Sequence, residues 1–133
     1  MKNTNKTENL KEKLKQALTS TARVISGDIN PKENTEQRES SKNIEFFNLE
    51  DLKTKNDFIK ARAESDSFAL KKKFSNNQIY NKNLPSNSSC KSLYSIAEKI
   101  RCETLGAKML KGIEKNLKEN YYRIIEFKNK DKP

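Results

Sequence analysis

The chain reads as all-α, with three helices at about 9–26, 49–75 and 91–125 joined by polar, partly disordered loops, the third helix being long. Three observations predict this. Apolar residues recur at steps of three and four through each stretch, the spacing of one helix face. The intervening stretches are rich in Asn, Ser and Glu and show no apolar period. Helix-boundary signals, an Asn followed by acids and a glycine after the last apolar residue, fall where the periodic stretches begin and end.

In the first helix, "NLKEKLKQALTSTARVI" (9–25) puts Leu10, Leu14, Ala17, Leu18, Thr21, Val24 and Ile25 on one side. Gly27 comes next, where a terminating glycine belongs. Residues 1–8 are expected to form a disordered tail. Residues 27–43 contain Asn30-Pro31 and read as a mobile linker. "IEFF" (44–47) is a short apolar segment, expected to dock in extended form on the helices.

The second helix is predicted to start at an Asn48 N-cap, with Glu50 and Asp51 in the first turn where the helix dipole favours them. Its stripe is Leu52, Ile59, Ala63, Leu70 and Phe74, widened by Phe58, Phe68 and Ala69 and interrupted by Asn56 and Asp66. Residues 75–91 read as a loop, with Ser88 or Ser89 capping the third helix.

The third helix carries Leu93, Ile96/Ala97, Ile100, Glu103/Thr104, Ala107, Leu110, Glu114, Leu117, Tyr121 and Ile124, close to a 3.5-residue period. A second row holds Cys102, Leu105, Met109 and Ile113. A glycine inside a helix costs about 1 kcal/mol relative to alanine, and this helix has Gly106 and Gly112. Gly106 stands between the two rows and is predicted to mark the close approach of another helix. Spacing alone leaves Gly112 open between a further contact and a surface position. Residues 129–133 are expected to be a tail.

Composition bounds the function. The 133 residues make one domain at most. With 32% hydrophobic and 35% charged residues, no Trp and a mean hydropathy of −1.04, the core must be small. No apolar run is long enough to span a membrane, and the N-terminus lacks the apolar segment of a signal peptide, so the cytoplasm is the expected location. Cys90 and Cys102 suit a reduced compartment. The net charge of +10 raises the question of nucleic acid. Acids are interleaved along nearly the whole chain, however, and only Lys71-Lys72-Lys73 forms a block, which points away from a nucleic-acid footprint.

The chain has no histidine, which removes the commonest general base and most zinc sites. Three scattered glycines exclude a phosphate-cradling loop. No catalytic residue, no metal ligand and no cofactor bound by this chain are expected.

Two stretches carry a resemblance. "AEKIRCETLGAKMLKGIEKNL" resembles a segment of the T subunit of aerobic, ATP-dependent cobaltochelatase (CobT), of the form E-x-x-R-x-E-x-[LIV]-G-A-[RK]-x-[ML]-x-G-[VI]-x-x-N-L. Glu98, Arg101, Glu103, Leu105, Gly106, Ala107, Lys108, Leu110, Gly112, Ile113, Asn116 and Leu117 stand in register. Upstream, "RAESDSFALK" resembles the family's R-G-E-A-D-x-x-A-L-R through Arg62, Glu64, Asp66, Ala69 and Leu70, with Ala63 in place of a glycine and Lys71 in place of an arginine. "LKQALTSTARVISGD" resembles the start of these proteins more loosely.

The resemblance implies a non-catalytic subunit of a complex that inserts cobalt into a corrin ring in cobalamin biosynthesis. Its partners would be an AAA+ ATPase subunit and a large chelating subunit, and the complex would use ATP, magnesium and cobalt. Family members continue into a von Willebrand A-type domain with a D-x-S-x-S motif. "DSFAL" is not such a motif, so the chain is expected to be a truncated, N-terminal piece. Because both glycines occupy motif positions, the resemblance favours packing for Gly112 as well. Two other readings stand beside this one: a helical protein–protein interaction module or split-gene fragment without a cobalamin role, and a basic nucleic-acid-binding protein. Both motifs place ionisable residues on or beside apolar stripes, so Arg62, Asp66, Arg101 and Glu103 are expected to form one polar cluster between the second and third helices.

Overall fold

The computed structural model describes residues 4–27 and 52–131. All regular structure among them is helical, in five helices rather than three: α1 (Thr4–Ser26), α2 (Lys55–Phe74), α3 (Asn77–Lys82), α4 (Ser88–Met109) and α5 (Lys111–Lys130). None of these helices is long and apolar enough to cross a membrane. The rest of the expected linker, the "IEFF" segment, the Asn48 cap and residues 49–51 lie outside the described residues.

α1 already includes residues 4–8, expected as a tail. It buries Leu18, Ala22 and Ile25 and leaves Leu10 and Val24 exposed, so the buried face is turned toward Ala22, a position outside the expected stripe. Gly27 ends the helix as expected. Its φ of 84° is left-handed, and its N–H donates to the Arg23 and Val24 carbonyls at 3.1 and 3.3 Å.

α2 begins at Lys55 because a capping box forms there. The Asp57 N–H donates to Thr54 Oγ1 at 3.3 Å, and the Thr54 N–H donates to Asp57 Oδ2 at 2.6 Å. The Thr54 hydroxyl also donates to Asp57 Oδ2, at 2.8 Å, and this bond, followed by those from the Thr54 and Lys53 N–H groups, holds the Asp57 carboxyl below its ordinary range. Residues 52–54, expected as helix, enter without helical structure. Leu52 is buried there with Leu18 and Ala61, against Leu14 and Phe58.

α2 is the centre of the fold, packed against α1, α4 and α5. A helix covered on several sides has no single apolar stripe, and α2 buries Ile59, Ala61, Ala63, Ser65, Asp66, Ala69 and Leu70. Small side chains let three neighbours come close. The main core joins Ala22, Ile25, Ala63, Ala69, Leu70, Cys102, Ile113 and Leu117.

The expected loop at 75–91 contains α3, whose second and third N–H groups, of Gln78 and Ile79, donate to Asn76 Oδ1 at 3.0 and 3.1 Å. Tyr80 stacks on Tyr94 of α4 with ring centroids 4.9 Å apart. α4 starts at Ser88, and its cap is Asn87, not Ser88 or Ser89.

The largest departure is at Leu110. The long helix expected over 91–125 is two helices that meet at this one residue, whose φ of −137° and ψ of 115° are extended. It ends α4 by donating its N–H to the Gly106 carbonyl at 2.9 Å, and starts α5 by accepting from the N–H groups of Ile113 and Glu114. The break turns the chain back on itself, so that Ile113 and Leu117 join the core from α5 while Cys102 joins it from α4. A straight helix would keep Cys102 and Ile113 on one side, but only the break lets Tyr121 return to meet Glu103. The 3.5-period seam read across the break is therefore not a buried seam: Leu93, Ile96 and Ile100 are exposed.

Candidate functional site

The fold-back brings together three residues from three helices. Ser67 Oγ of α2 donates to Glu103 Oε1 of α4 at 2.6 Å. Tyr121 Oη of α5 donates to Glu103 Oε2, also at 2.6 Å. Glu103 and Tyr121 are 18 residues apart in the chain. In a continuous helix that separation would be about 27 Å. Lys99 adds a looser contact to Glu103 at 3.8 Å. Glu103 is buried, and a buried carboxylate needs such partners. Burial, and then the neighbouring Glu103, push the Tyr121 hydroxyl up to about 12. Sequence reasoning missed Ser67 and the role of Tyr121. The one signal for Ser67 is its place next to Asp66 in the upstream motif.

A second polar contact joins the two motifs directly. Asn116 Nδ2 of α5 donates to Asp66 Oδ2 of α2 at 2.9 Å, across 50 residues of sequence. Asp66 is buried. Desolvation raises its carboxyl above the ordinary 3.8, opposed by the Asn116 bond and by the charge of Arg62.

A third ties α4 to the end of α2. Arg101 is held by Glu98 through Nε (2.9 Å) and Nη2 (2.7 Å), and the same Nη2 donates to the Phe74 carbonyl at 2.9 Å. Phe74 is the last residue of α2, where carbonyls lack helical partners and a cation is favoured. The Arg101 side chain, more than any other cause, holds the Glu98 carboxyl down to about 2. Burial, and then Glu98, push the nearby Cys102 thiol up.

The depressed Glu98 value has a pH consequence. Its contribution to stability is complete above the ordinary value of 4.5 and is lost as the pH falls from there toward 2. The Glu98→Gln variant should therefore lose less of its melting temperature over that window than the wild type. Parallel acid melts of the two proteins check this, and identical slopes would refute it.

The single cluster expected from Arg62, Asp66, Arg101 and Glu103 does not form. Asp66, Glu103 and Arg101 sit in three separate contacts with other partners. Arg62 is exposed. Glu64 is exposed too, 3.8 Å from Lys60. The reason is that α2 presents different faces to α4 and α5, so ionisable groups near its stripe meet different helices.

The glycines divide. A Cβ on Gly106 would come within 2.8 Å of Leu70 Cγ and closer still to both Leu70 methyls. The predicted close approach is real, and the neighbour is α2 of the same chain. Around Gly112 a Cβ would meet nothing within 4 Å, so the packing reading for that residue is overturned. It lies in the first turn of α5, exposed. Gly112→Ala should therefore raise stability, by up to about 1 kcal/mol, seen as a melting temperature higher by a few degrees. A lowered melting temperature would contradict the structure.

Ala107 is half-buried and lines a groove of about 540 Å³ between α4 and α5. Ile96, Ile100, Thr104 and Leu117 give the groove its apolar surface, Glu103 and Tyr121 stand on it, and Lys99 and the Lys118–Glu114 pair flank it. Among the described residues no group of three or more Cys, Asp or Glu is placed to hold a metal ion.

The motif residues thus do structural work that one chain can show. Asp66 meets Asn116, Leu70 meets Gly106, and Arg101 closes α2. No curated protein and no solved structure matches the chain. A family model does match, that of the cobalamin biosynthesis protein CobT, over residues 8–131. That span takes in α1 from Glu8 onward, both motifs and all of the described structure beyond them. The chain belongs to the CobT family of cobalamin biosynthesis proteins.

Proposed function

We propose that the chain is a non-catalytic helical subunit of an aerobic, ATP-dependent cobaltochelatase-type complex. In this reading it assembles with the AAA+ ATPase subunit, and through it with the large chelating subunit. Cobalt is the substrate of the complex, and ATP and magnesium are handled by the partners. The observation that carries the reading is the family match over nearly the whole chain. The residue inventory supports it: a chain without histidine and without a phosphate-cradling loop is suited to assembly rather than to chemistry.

The test has two arms. Purified chain is mixed with the tagged ATPase subunit of the same cell, with and without ATP and magnesium, and co-elution is measured. Cobalt insertion into the corrin is then assayed with the other subunits present and this chain omitted or restored. Association, together with insertion that depends on the chain, is expected. Association without dependence would favour an interaction module with no cobalamin role. Failure of both arms would end the proposal.

A further inference from the structure

The exposed surface of the α4/α5 hairpin is more one-sided than its composition. The two helices carry ten Lys and Arg residues and five Glu residues. Every cation except Arg123 is exposed, whereas Glu126 is the one exposed acid of the pair. Glu103 is buried, and Glu98, Glu114 and Glu119 are half-buried. Glu98 and Glu103 are engaged by Arg101, Ser67 and Tyr121, and Glu114 pairs with Lys118, so the fully exposed charges of the two helices are nearly all positive. Lys111, Lys115 and Lys118 succeed one another at i, i+4 and i+7, forming a ridge along the edge of α5 with Glu114 and Glu119 beside it, Lys118 being paired with Glu114.

Beside that ridge lies the apolar groove. Ile96 and Ile100 are 53% and 54% exposed there, and Leu93 extends the row toward the start of α4. Residues 93–107 make a face about 21 Å long. That length accommodates about 14 residues of a third helix laid along the cleft.

We propose that this groove docks an acid-rich amphipathic helix from another protein, with apolar residues on Ile96, Ile100 and Leu117 and carboxylates over Lys111 and Lys115 of the lysine ridge. Charge selects this occupant. A second copy would bring an equally positive surface against the first, and like charges oppose that pairing. Nucleic acid would satisfy the lysines but would leave the isoleucine floor unused. The inference does not depend on the ATPase being the partner, and its test needs no other subunit.

The probe is a synthetic peptide of roughly 16 residues, with Leu at i, i+3, i+4 and i+7 and Glu elsewhere. It is compared with a Lys-for-Glu version and with a scrambled Leu/Glu version. Binding to the full chain is followed by anisotropy and by side-chain methyl chemical shifts. The acidic peptide should bind about tenfold or more tighter than either control. It should perturb the Ile96 and Ile100 methyls, and weaken severalfold between about 50 and about 500 mM salt. Ile100→Gln, a change at an exposed position, should leave the melting temperature unchanged and reduce binding about tenfold. Equal binding of the scrambled peptide, or no binding, would overturn the proposal. So would self-association through the groove, duplex DNA binding unaffected by Ile100→Gln, or contacts from the chain's own residues 44–47 to Ile100.

Discussion

Gly106→Ala is expected to destabilise the protein, and Gly106→Leu to destabilise it far more. In an exposed helix the alanine would gain about 1 kcal/mol of propensity. Here its methyl would land on Leu70, which is wholly buried in the centre of the fold. Overpacking of that kind costs about 1–3 kcal/mol. The net result is a loss of up to about 2 kcal/mol, and each kcal/mol is worth roughly 4 °C of melting temperature in a chain of this size. Leucine adds three more carbons to a site with no room for one, so α4 must lift from α2 or the chain must unfold.

The contact is internal, so the loss should appear in thermal melts of the isolated protein, with no partner present. A double-mutant cycle makes the argument specific. Leu70→Ala alone should cost about 2–5 kcal/mol. In that background the alanine at 106 has space, and its propensity gain should reappear. The two substitutions should therefore couple by more than about 0.5 kcal/mol. Strict additivity, or a Gly106→Leu protein more stable than the wild type, would refute the reading.

The all-α class was legible because helix periodicity is a local property, and the Gly27 stop was legible because it needs only one residue. Gly106 could be placed from its position between two apolar rows. The break at Leu110 could not, since leucine is a good helix former and the cap there uses no side chain. Only tertiary packing, the return of α5 along α4 that sets Tyr121 on Glu103, makes an extended residue worthwhile there. The same cause explains the misread seam: a period that continues through 110 places Ile96 and Ile100 on an inner face that the folded chain leaves open.

α2 misled in another way. Its small buried residues serve three neighbours, so Asp66 looked like an interruption of one stripe when it is a contact to α5. The motif residues were legible as a set. Which of them meet was not, because Asp66–Asn116 is a long-range pairing that no local pattern records.

Asn116→Leu is expected to be costly, while Asp66→Asn is expected to be tolerated. Asp66 is 4% exposed, and its carboxylate accepts the Asn116 amide hydrogen bond at 2.9 Å. Removing the amide strands a buried carboxylate, at a cost of about 1–3 kcal/mol or more for a charged group. Replacing the acid with Asn removes the charge that burial penalises, and an amide oxygen can still accept from Asn116. The pH dependence separates these cases. The Asp66 carboxyl is raised above its ordinary 3.8, with desolvation the leading cause. Folding therefore favours the protonated acid. That contribution is fully present below the ordinary value and is lost as the pH rises through the raised one. Asn116→Leu removes an interaction that lowers the value, so its stability should fall more steeply than the wild type's as pH rises from about 4 toward neutrality. Asp66→Asn should lose this dependence and melt at or above the wild-type temperature at neutral pH. Melts of the three proteins across that range decide the matter. If Asp66→Asn proved the most damaging variant at about pH 7, the ionised carboxylate would be stabilising the interface between α2 and α5, and the desolvation argument for this contact would be wrong.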